Sequence, residues 1–349
     1  MNGHCSEGKK IVKIQINGRF YENLLTVIVV TYNRPVLLST ALSSLAHQHE
    51  HSFDVIIFDN GSTDSTQEVI RGYLQKYPAW RVVRIETNWY SMKNAQCFVD
   101  DIRTPWVTYL CDDDLFDPNF MSYVLPTLNS ECHGLICLGF STCDYEGKIT
   151  RMYKPKMVSL TTNEALNAWR TNLLPESAGI TGFVFRKCVL ERISWDYSGG
   201  FFNDTRLALE GLSDGGVRVI TECVVVRRQW VGAVSAIDPY SIINRLKAHL
   251  EFIRDITEKG EGYRIPLKKE QRLLTDPIAL FRNYGLALFD CGPLSLSFLK
   301  EWVRFSLNSP HWIRWQLITM VPILFMNRGP FQVVQRTLRR FLREMRVQA

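Results

Sequence analysis

The sequence predicts an α/β fold in which a mostly parallel central sheet is flanked by helices and followed by a helical C-terminal extension. Two observations carry this expectation. Between Leu24 and Leu128, short β-branched runs alternate with longer stretches of helical period, the pattern of βα units. After about Tyr240 the pattern turns helical. With 349 residues, 46% of them hydrophobic, the chain is long enough for two domains, or for one with an extension.

Taken in order, strands are expected over 26–30, 54–58, 81–85 and 107–110, each closed by polar or Gly/Pro punctuation. Helices fall between them over 36–46, 65–76 and 92–101. The section that follows is mixed, with strands over 135–140, 182–185 and 217–220 and a helix over 163–171. Further helices are expected over 242–257, 267–288 and 294–305, before a basic stretch from Phe331. The expected division is an N-terminal segment 1–23, an α/β domain 24–238 made of halves 24–128 and 129–238, and a helical region 239–349. No internal repeat interrupts this order.

Composition narrows the classes. A net charge of +6 suits phosphorylated ligands or an anionic surface and does not by itself indicate nucleic acid. Nine cysteines, scattered from Cys5 to Cys291 without a CxxC pair, point to a reduced, cytoplasmic setting. The polar start, Met1 to Lys10, lacks the apolar run of a secretory signal. The longest apolar run, 317–326, is broken by Thr319 and Pro322 and falls short of the roughly 18 to 20 residues that span a bilayer. No transmembrane helix is expected.

Chemistry concentrates at three strand ends. Cys111-Asp112-Asp113-Asp114 follows the fourth strand. Carboxylates crowded there repel one another unless a cation sits among them, and oxygen ligands suit Mg²⁺ or Mn²⁺. The alternatives are a solvated acidic turn, or Asp114 as a helix cap. Thr31-Tyr32-Asn33-Arg34-Pro35 ends the first strand and Asp59-Asn60-Gly61-Ser62-Thr63-Asp64 the second. Small polar residues and a glycine let a base and ribose approach closely, although Asn60-Gly61 also reads as an ordinary turn and Asp64 as an N-cap. Ligand crevices of open α/β sheets lie at this edge.

Leu25 to Arg34, Phe58 to Asp64 and Asp112 to Asp114 together resemble the family 2 glycosyltransferases, whose fold is termed GT-A. The resemblance implies that Thr31, Tyr32, Asn33 and Arg34 border the nucleotide, that Asp59 and Asn60 meet the base, and that Asp112 meets the ribose. It implies that Asp113 holds a divalent cation, Mn²⁺ or Mg²⁺, on the diphosphate. Cys111 stands where many relatives have the first aspartate of the cluster, so the ligand is open by one residue among Asp112 to Asp114, and Asp114 joins Asp113 as a metal candidate. Asn60 replaces an aspartate of some relatives; its amide can accept a uracil or thymine N3 proton, which favours UDP- or dTDP-sugars. Asn88-Trp89-Tyr90 replaces a glycine-containing loop and would narrow the donor pocket.

An inverting transfer, which the resemblance implies, needs a carboxylate base for the acceptor hydroxyl. The match falls on Asp204, which follows Gly199 and Gly200 and could equally cap a helix; Glu210 and Asp214 are further candidates. Where some relatives carry Arg-x-His, this chain has Arg228-Gln229-Trp230, and Arg227 or Arg228 reads either as a phosphate neutraliser or as a surface arginine. His47, His49 and His51 read as a solvated loop, since their alternation does not make a tetrahedral metal set. Cys132, Cys137 and Cys143 read as buried small apolar residues.

From Phe331 the apolar residues Phe331, Val334, Leu338, Phe341, Leu342 and Met345 recur at helical spacing opposite Arg336, Arg339, Arg340 and Arg343. Such a helix either lies in an anionic membrane surface, peripheral to the inner face, or packs on the protein or a second copy. The whole reading is transfer of a sugar from a nucleotide-sugar to a hydroxyl of a saccharide or lipid-linked saccharide, in surface polysaccharide biosynthesis. The rivals are a non-catalytic carbohydrate- or nucleotide-binding protein on a transferase fold and a sugar-phosphate nucleotidyltransferase. The second would carry a Gly-rich phosphate loop with a following lysine, and no such loop follows the first strand. A nucleic-acid role lacks a basic, aromatic-studded face.

Overall fold

The computed structural model describes residues 14–16, 19–21, 23–86, 98–128, 133–155, 159–161, 164, 179–192, 207–208, 210–212, 214–229, 296–309, 314 and 317. The chain divides into two compact units, Met1–Tyr197 with Asn203–Trp230, and Ser198–Phe202 with Val231–Ala349.

The first unit opens with a hairpin of β1 (Ile14–Ile16) and β2 (Arg19–Tyr21) and is built on a ten-stranded mixed sheet. Its central strands are β3 (Leu25–Thr31), β4 (Phe53–Asp59), β5 (Arg81–Arg84) and β6 (Trp106–Cys111), which run parallel in the order β6-β3-β4-β5. Val27, Ile28, Val29, Val55, Ile56 and Ile57 are fully buried, because helices cover one face of these strands and apolar side chains the other. Each such side chain stabilises the fold by roughly 1.5–3 kcal/mol relative to exposure.

α1 (Pro35–Ala46) starts on a proline at its first turn, where a missing N–H costs nothing, and buries Leu37, Leu38, Ala41, Leu42 and Leu45 on the sheet. α2 (Thr66–Lys76) buries Ile70 and ties to α1 through the Tyr73 hydroxyl, which donates to the Ser39 carbonyl at 3.0 Å. These elements lie where the sequence predicts them. Of the helix expected over 92–101, only the last turn is described, and Val99–Asp101 is 3-10.

β7 (Leu115–Phe116) and α3 (Phe120–Leu128) follow the acidic turn, Phe116 stacking on Phe120 at 3.8 Å. The sheet then continues through β8 (Leu135–Cys143), β9 (Ile149–Tyr153), β10 (Ser159–Leu160), β11 (Phe183–Arg186) and β12 (Val217–Arg228), with α4 (Lys187–Arg192) after β11. The full order is β10-β12-β8-β11-β6-β3-β4-β5, with β7 on β12 and β9 on β8. β11 runs antiparallel to both β6 and β8, so β8 and its parallel partner β12 point the same way as β3 to β6. Six carboxy-terminal strand ends therefore share one edge.

β12 runs eight residues beyond the strand expected over 217–220. The register slips between Ile220 and Val225 around Thr221 and Glu222, a bulge that breaks the apolar pattern without ending the pairing. Cys137 and Cys143 are buried on β8 as expected. In the second unit, α5 (Leu296–Asn308) answers the helix expected over 294–305; Trp302 is buried there and its indole N–H donates to the Leu317 carbonyl at 3.1 Å. The other helices expected after Tyr240, the basic stretch from Phe331 and most of the helix over 163–171 lie outside the described residues. Among the described residues, no helix is long and apolar enough to cross a membrane.

Candidate functional site

The three polar strand ends meet at the shared edge and bond to one another. After β3 the chain turns at Asn33, whose φ of 50° is in the left-handed region that asparagine tolerates. Its amide donates to Ser62 Oγ at 3.0 Å, and its Oδ1 accepts from the Thr63 amide at 2.8 Å. The turns after β3 and β4 are thus stitched together. Tyr32, in the first of these turns, is half-buried. The Asn60 amide donates to the Thr31 carbonyl at 2.9 Å, and Gly61 follows at φ 83°. Asp64 is not the N-cap of α2, which is Ser65; it stands one residue before the cap, where its Oδ1 accepts from the Thr66 amide at 3.0 Å.

Asp59, 1% exposed, is committed on both oxygens. Oδ1 accepts from the Ser62 amide at 2.9 Å and Oδ2 from Arg84 Nη1 at 2.6 Å. Arg84 Nη2 also donates to the Ser62 carbonyl at 3.0 Å. Asp59 and Arg84 together set the shape of the turn that presents Asn60. Arg84 was not singled out by the sequence; its only signal was its place at the end of a parallel strand.

The acidic turn closes the edge. Asp112 takes its backbone position from its amide's bond to the Val30 carbonyl, 3.2 Å. Its carboxylate accepts from Thr31 Oγ1 at 2.8 Å and from Arg34 Nη1 at 3.0 Å; Arg34 lies 3.5 Å from Asp113 Oδ2 as well. Asp114 is held from the other side, accepting from Thr181 Oγ1 at 2.8 Å and from the Arg228 amide at 3.1 Å. It caps no helix: at the start of α3, Asp117 bonds the Asn119 amide instead, at 2.9 Å. The Asp113 side chain is 15% exposed against 5% for Asp112, which leaves Asp113 the more open of the two.

Electrostatics follow from burial. Desolvation pushes Asp112 up to about 6, with Arg34 opposing and Asp113 adding. Desolvation and then Asp113 push Asp114 up to about 7. Burial and the neighbouring carboxylates raise the Cys111 thiol well above its ordinary range. Cys111 Sγ and one oxygen each of Asp113 and Asp114 lie within 4.8 Å of one another, the one such donor group among the described residues. The turn thus carries more acidic groups than its surroundings let ionise, and these donors fit a divalent cation, whose charge would favour the ionised forms.

Three alternatives from the sequence are settled by position. Asp214 sits before β12, at the opposite edge, paired with Arg192 at 2.7 Å and Arg186 at 3.8 Å, so it is not a base for this site. Glu210 belongs to the same end, where its neighbour Gly211 packs against Gly134 at the head of β8. Arg228 is 9% exposed and not a surface arginine. His47, His49 and His51 are exposed, as expected of a solvated loop. Asp204, Gly199, Gly200, Trp230 and the segment Asn88-Trp89-Tyr90 lie outside the described residues.

A largely parallel sheet whose carboxy-terminal edge gathers an acidic turn and two polar loops is the GT-A type of α/β fold. Residues 26–193 match the glycosyl transferase family 2, and this span is a family 2 glycosyltransferase domain. S. aureus TarS 1–349, solved in complex with UDP-GlcNAc, shares the fold at a TM-score of 0.60 and 15% identity over 92% of each chain. The Campylobacter jejuni GalNAc(5)-diNAcBac-PP-undecaprenol beta-1,3-glucosyltransferase is 28% identical over 171 residues, 48% of this chain and 53% of that protein. The validoxylamine A glucosyltransferase of Streptomyces hygroscopicus subsp. jinggangensis is 46% identical over 52 residues, 14% of this chain and 12% of that protein. The chain thus spans about half, or less, of the length of these curated relatives.

Proposed function

We propose that the chain transfers a glycosyl group from a nucleotide-sugar to a hydroxyl of a saccharide or lipid-linked saccharide, with inversion. The observation that carries this reading is the bonding of the acidic turn to the end of β3 and its loop, which is itself bonded to the loop after β4, with Asp113 beside Arg34 at the same edge. In this reading Thr31, Tyr32, Asn33 and Arg34 border the nucleotide, Asn60 meets the base and Asp112 the ribose; Asp59, expected to meet the base with Asn60, has both oxygens committed within the turn and instead shapes it.

Asp113 is the principal ligand of a divalent cation, Mn²⁺ or Mg²⁺, and Asp114 its held neighbour. The cation would offset charge on the departing diphosphate. Arg34, between Asp112 and Asp113, orients both carboxylates and adds positive charge on the nucleotide side. Asp204 is the base that takes the acceptor proton. Residues 24–128 form the donor half and 129–238 the acceptor half.

A uridine or thymidine donor is favoured by Asn60, and the binding of UDP-GlcNAc by TarS supports a uridine one. The Pyrobaculum calidifontis mannosyltransferase, solved with GDP-Man and Mn²⁺, has the same fold at a TM-score of 0.50 and 20% identity, which supports the metal. The undecaprenol-linked substrate in the name of the Campylobacter relative supports a lipid-linked acceptor and a role in surface polysaccharide biosynthesis.

The test is release of free nucleotide from UDP-, dTDP- and GDP-sugars with Mn²⁺ or Mg²⁺. Metal-dependent turnover of one donor is expected, abolished in Asp113→Ala and reduced by at least two orders of magnitude in Asp204→Asn, the usual scale for a general base. Absence of both turnover and donor-induced thermal shift across the panel would sink the proposal in favour of a non-catalytic binding protein.

A further inference from the structure

At the end of β12, Arg228 joins two segments that are far apart in sequence. Its Nε donates to the main-chain carbonyl of Asp113 at 3.2 Å, its Nη1 donates to the carbonyl of Tyr145, and its own amide donates to Asp114 Oδ1 at 3.1 Å. Its guanidinium carbon lies 5.9 Å from the Tyr145 ring centre. Tyr145 belongs to the turn between β8 and β9, where the Asp144 amide bonds the Lys148 carbonyl at 3.0 Å and Gly147 takes a φ of 91°. One planar fork therefore clamps the peptide of the acidic turn to the tip of the β8–β9 hairpin.

An arginine offered to a phosphate would keep its fork toward the ligand. This one has donors committed to carbonyls and is 9% exposed. A carbonyl held at Asp113 fixes the peptide from which that carboxylate projects. The bulge between Ile220 and Val225 keeps β12 paired for the length needed to bring Arg228 there.

We infer that Arg228 is a positioning residue: it holds Asp113 in the orientation that ligates the cation, through the main chain, and is not itself a phosphate ligand. This rests on the proposed cation site. Loss of such an outer support weakens metal affinity by about 10- to 100-fold.

The experiment uses the full chain and Mn²⁺ alone, followed by the electron paramagnetic resonance signal of the free ion, with UDP binding measured separately in EDTA. Arg228→Ala is expected to raise the Mn²⁺ dissociation constant about tenfold or more, with partial recovery on adding methylguanidinium, and to leave metal-free UDP binding unchanged. Arg228→Lys keeps the charge but not the fork and is expected to show the same loss, which covers the case in which the alanine variant does not fold. Tyr145→Ala retains its carbonyl and is expected to bind Mn²⁺ like the natural chain.

Unchanged Mn²⁺ affinity in Arg228→Lys, or loss of UDP binding in EDTA with Mn²⁺ affinity intact, overturns the inference. Failure of the natural chain to bind Mn²⁺ at all overturns the cation site, and this inference with it; that outcome is read on the natural chain alone.

Discussion

Asp114 is the residue at which burial and charge conflict most plainly. Its pKa rises to about 7 and that of Asp112 to about 6, mainly through desolvation, against about 3.9 for a carboxyl in an unfolded chain. Between those values the folded protein holds more protons than the unfolded one, so unfolding free energy falls as pH rises. The stabilising protonated forms are complete below about 4 and lost as pH climbs through 6 to 7. Asp114→Asn should remove the Asp114 share of this dependence, leaving that of Asp112, while keeping the geometry, its Oδ1 accepting from the Arg228 amide and its Nδ2 donating to Thr181 Oγ1. In EDTA the variant is expected to exceed the natural chain in stability at pH 8 by on the order of 1–3 kcal/mol, a gap that closes toward pH 5. Urea unfolding at the two pH values measures it; a variant no more stable at pH 8 would show that the two hydrogen bonds already offset the buried charge.

The sequence marked Thr31, Asn33, Arg34, Asp59 and the acidic cluster, all of which the fold brings to one edge. It did not mark Thr181, Arg84 or Arg228 as supports of those carboxylates, because each arrives from a distant strand or turn whose register only the assembled sheet defines.

Among the elements, the β8–β12 pair carries the constraint that local pattern hides. β8 is buried at all nine positions, and opposite Gly139 the β12 bulge turns the Glu222 carbonyl inward. A Cβ built on Gly139 would sit 2.4 Å from that oxygen, a backbone atom that cannot move without shifting the bulge. Gly139→Ala is therefore expected to cost about 1–3 kcal/mol, the ordinary penalty of overpacking, seen as a lower urea midpoint. It should also weaken Mn²⁺ binding, since Arg228 lies at the end of the displaced strand. A neutral substitution would mean that β12 can relax without transmitting the shift.

The same feature explains what the sequence concealed: β3, β4, β6, α1 and α2 follow their hydrophobic periods and were legible within one or two residues. β12 was legible only up to its bulge, and β9 not at all, since four of its five residues face solvent.

For the whole molecule the open question is where a chain of net charge +6 does its work, given that none of its described helices can cross a bilayer. The segment from Phe331 places Arg336, Arg339, Arg340 and Arg343 opposite Phe331, Val334, Leu338, Phe341, Leu342 and Met345 if it is helical. Each arginine near an anionic leaflet contributes about 1 kcal/mol, and the apolar side adds burial among the headgroups. In a helical segment that sum would suffice for reversible peripheral binding, and a lipid-linked acceptor would make such binding useful to catalysis. The full chain is expected to sediment with anionic vesicles at low salt, to be released at high salt because the attraction is screened, and to ignore neutral vesicles. A chain ending at Asn308 should stay in the supernatant throughout. If the shortened chain sediments as well as the full one, the basic stretch is not the anchor; if neither sediments while the shortened chain aggregates, its apolar side instead packs on the protein or on a second copy.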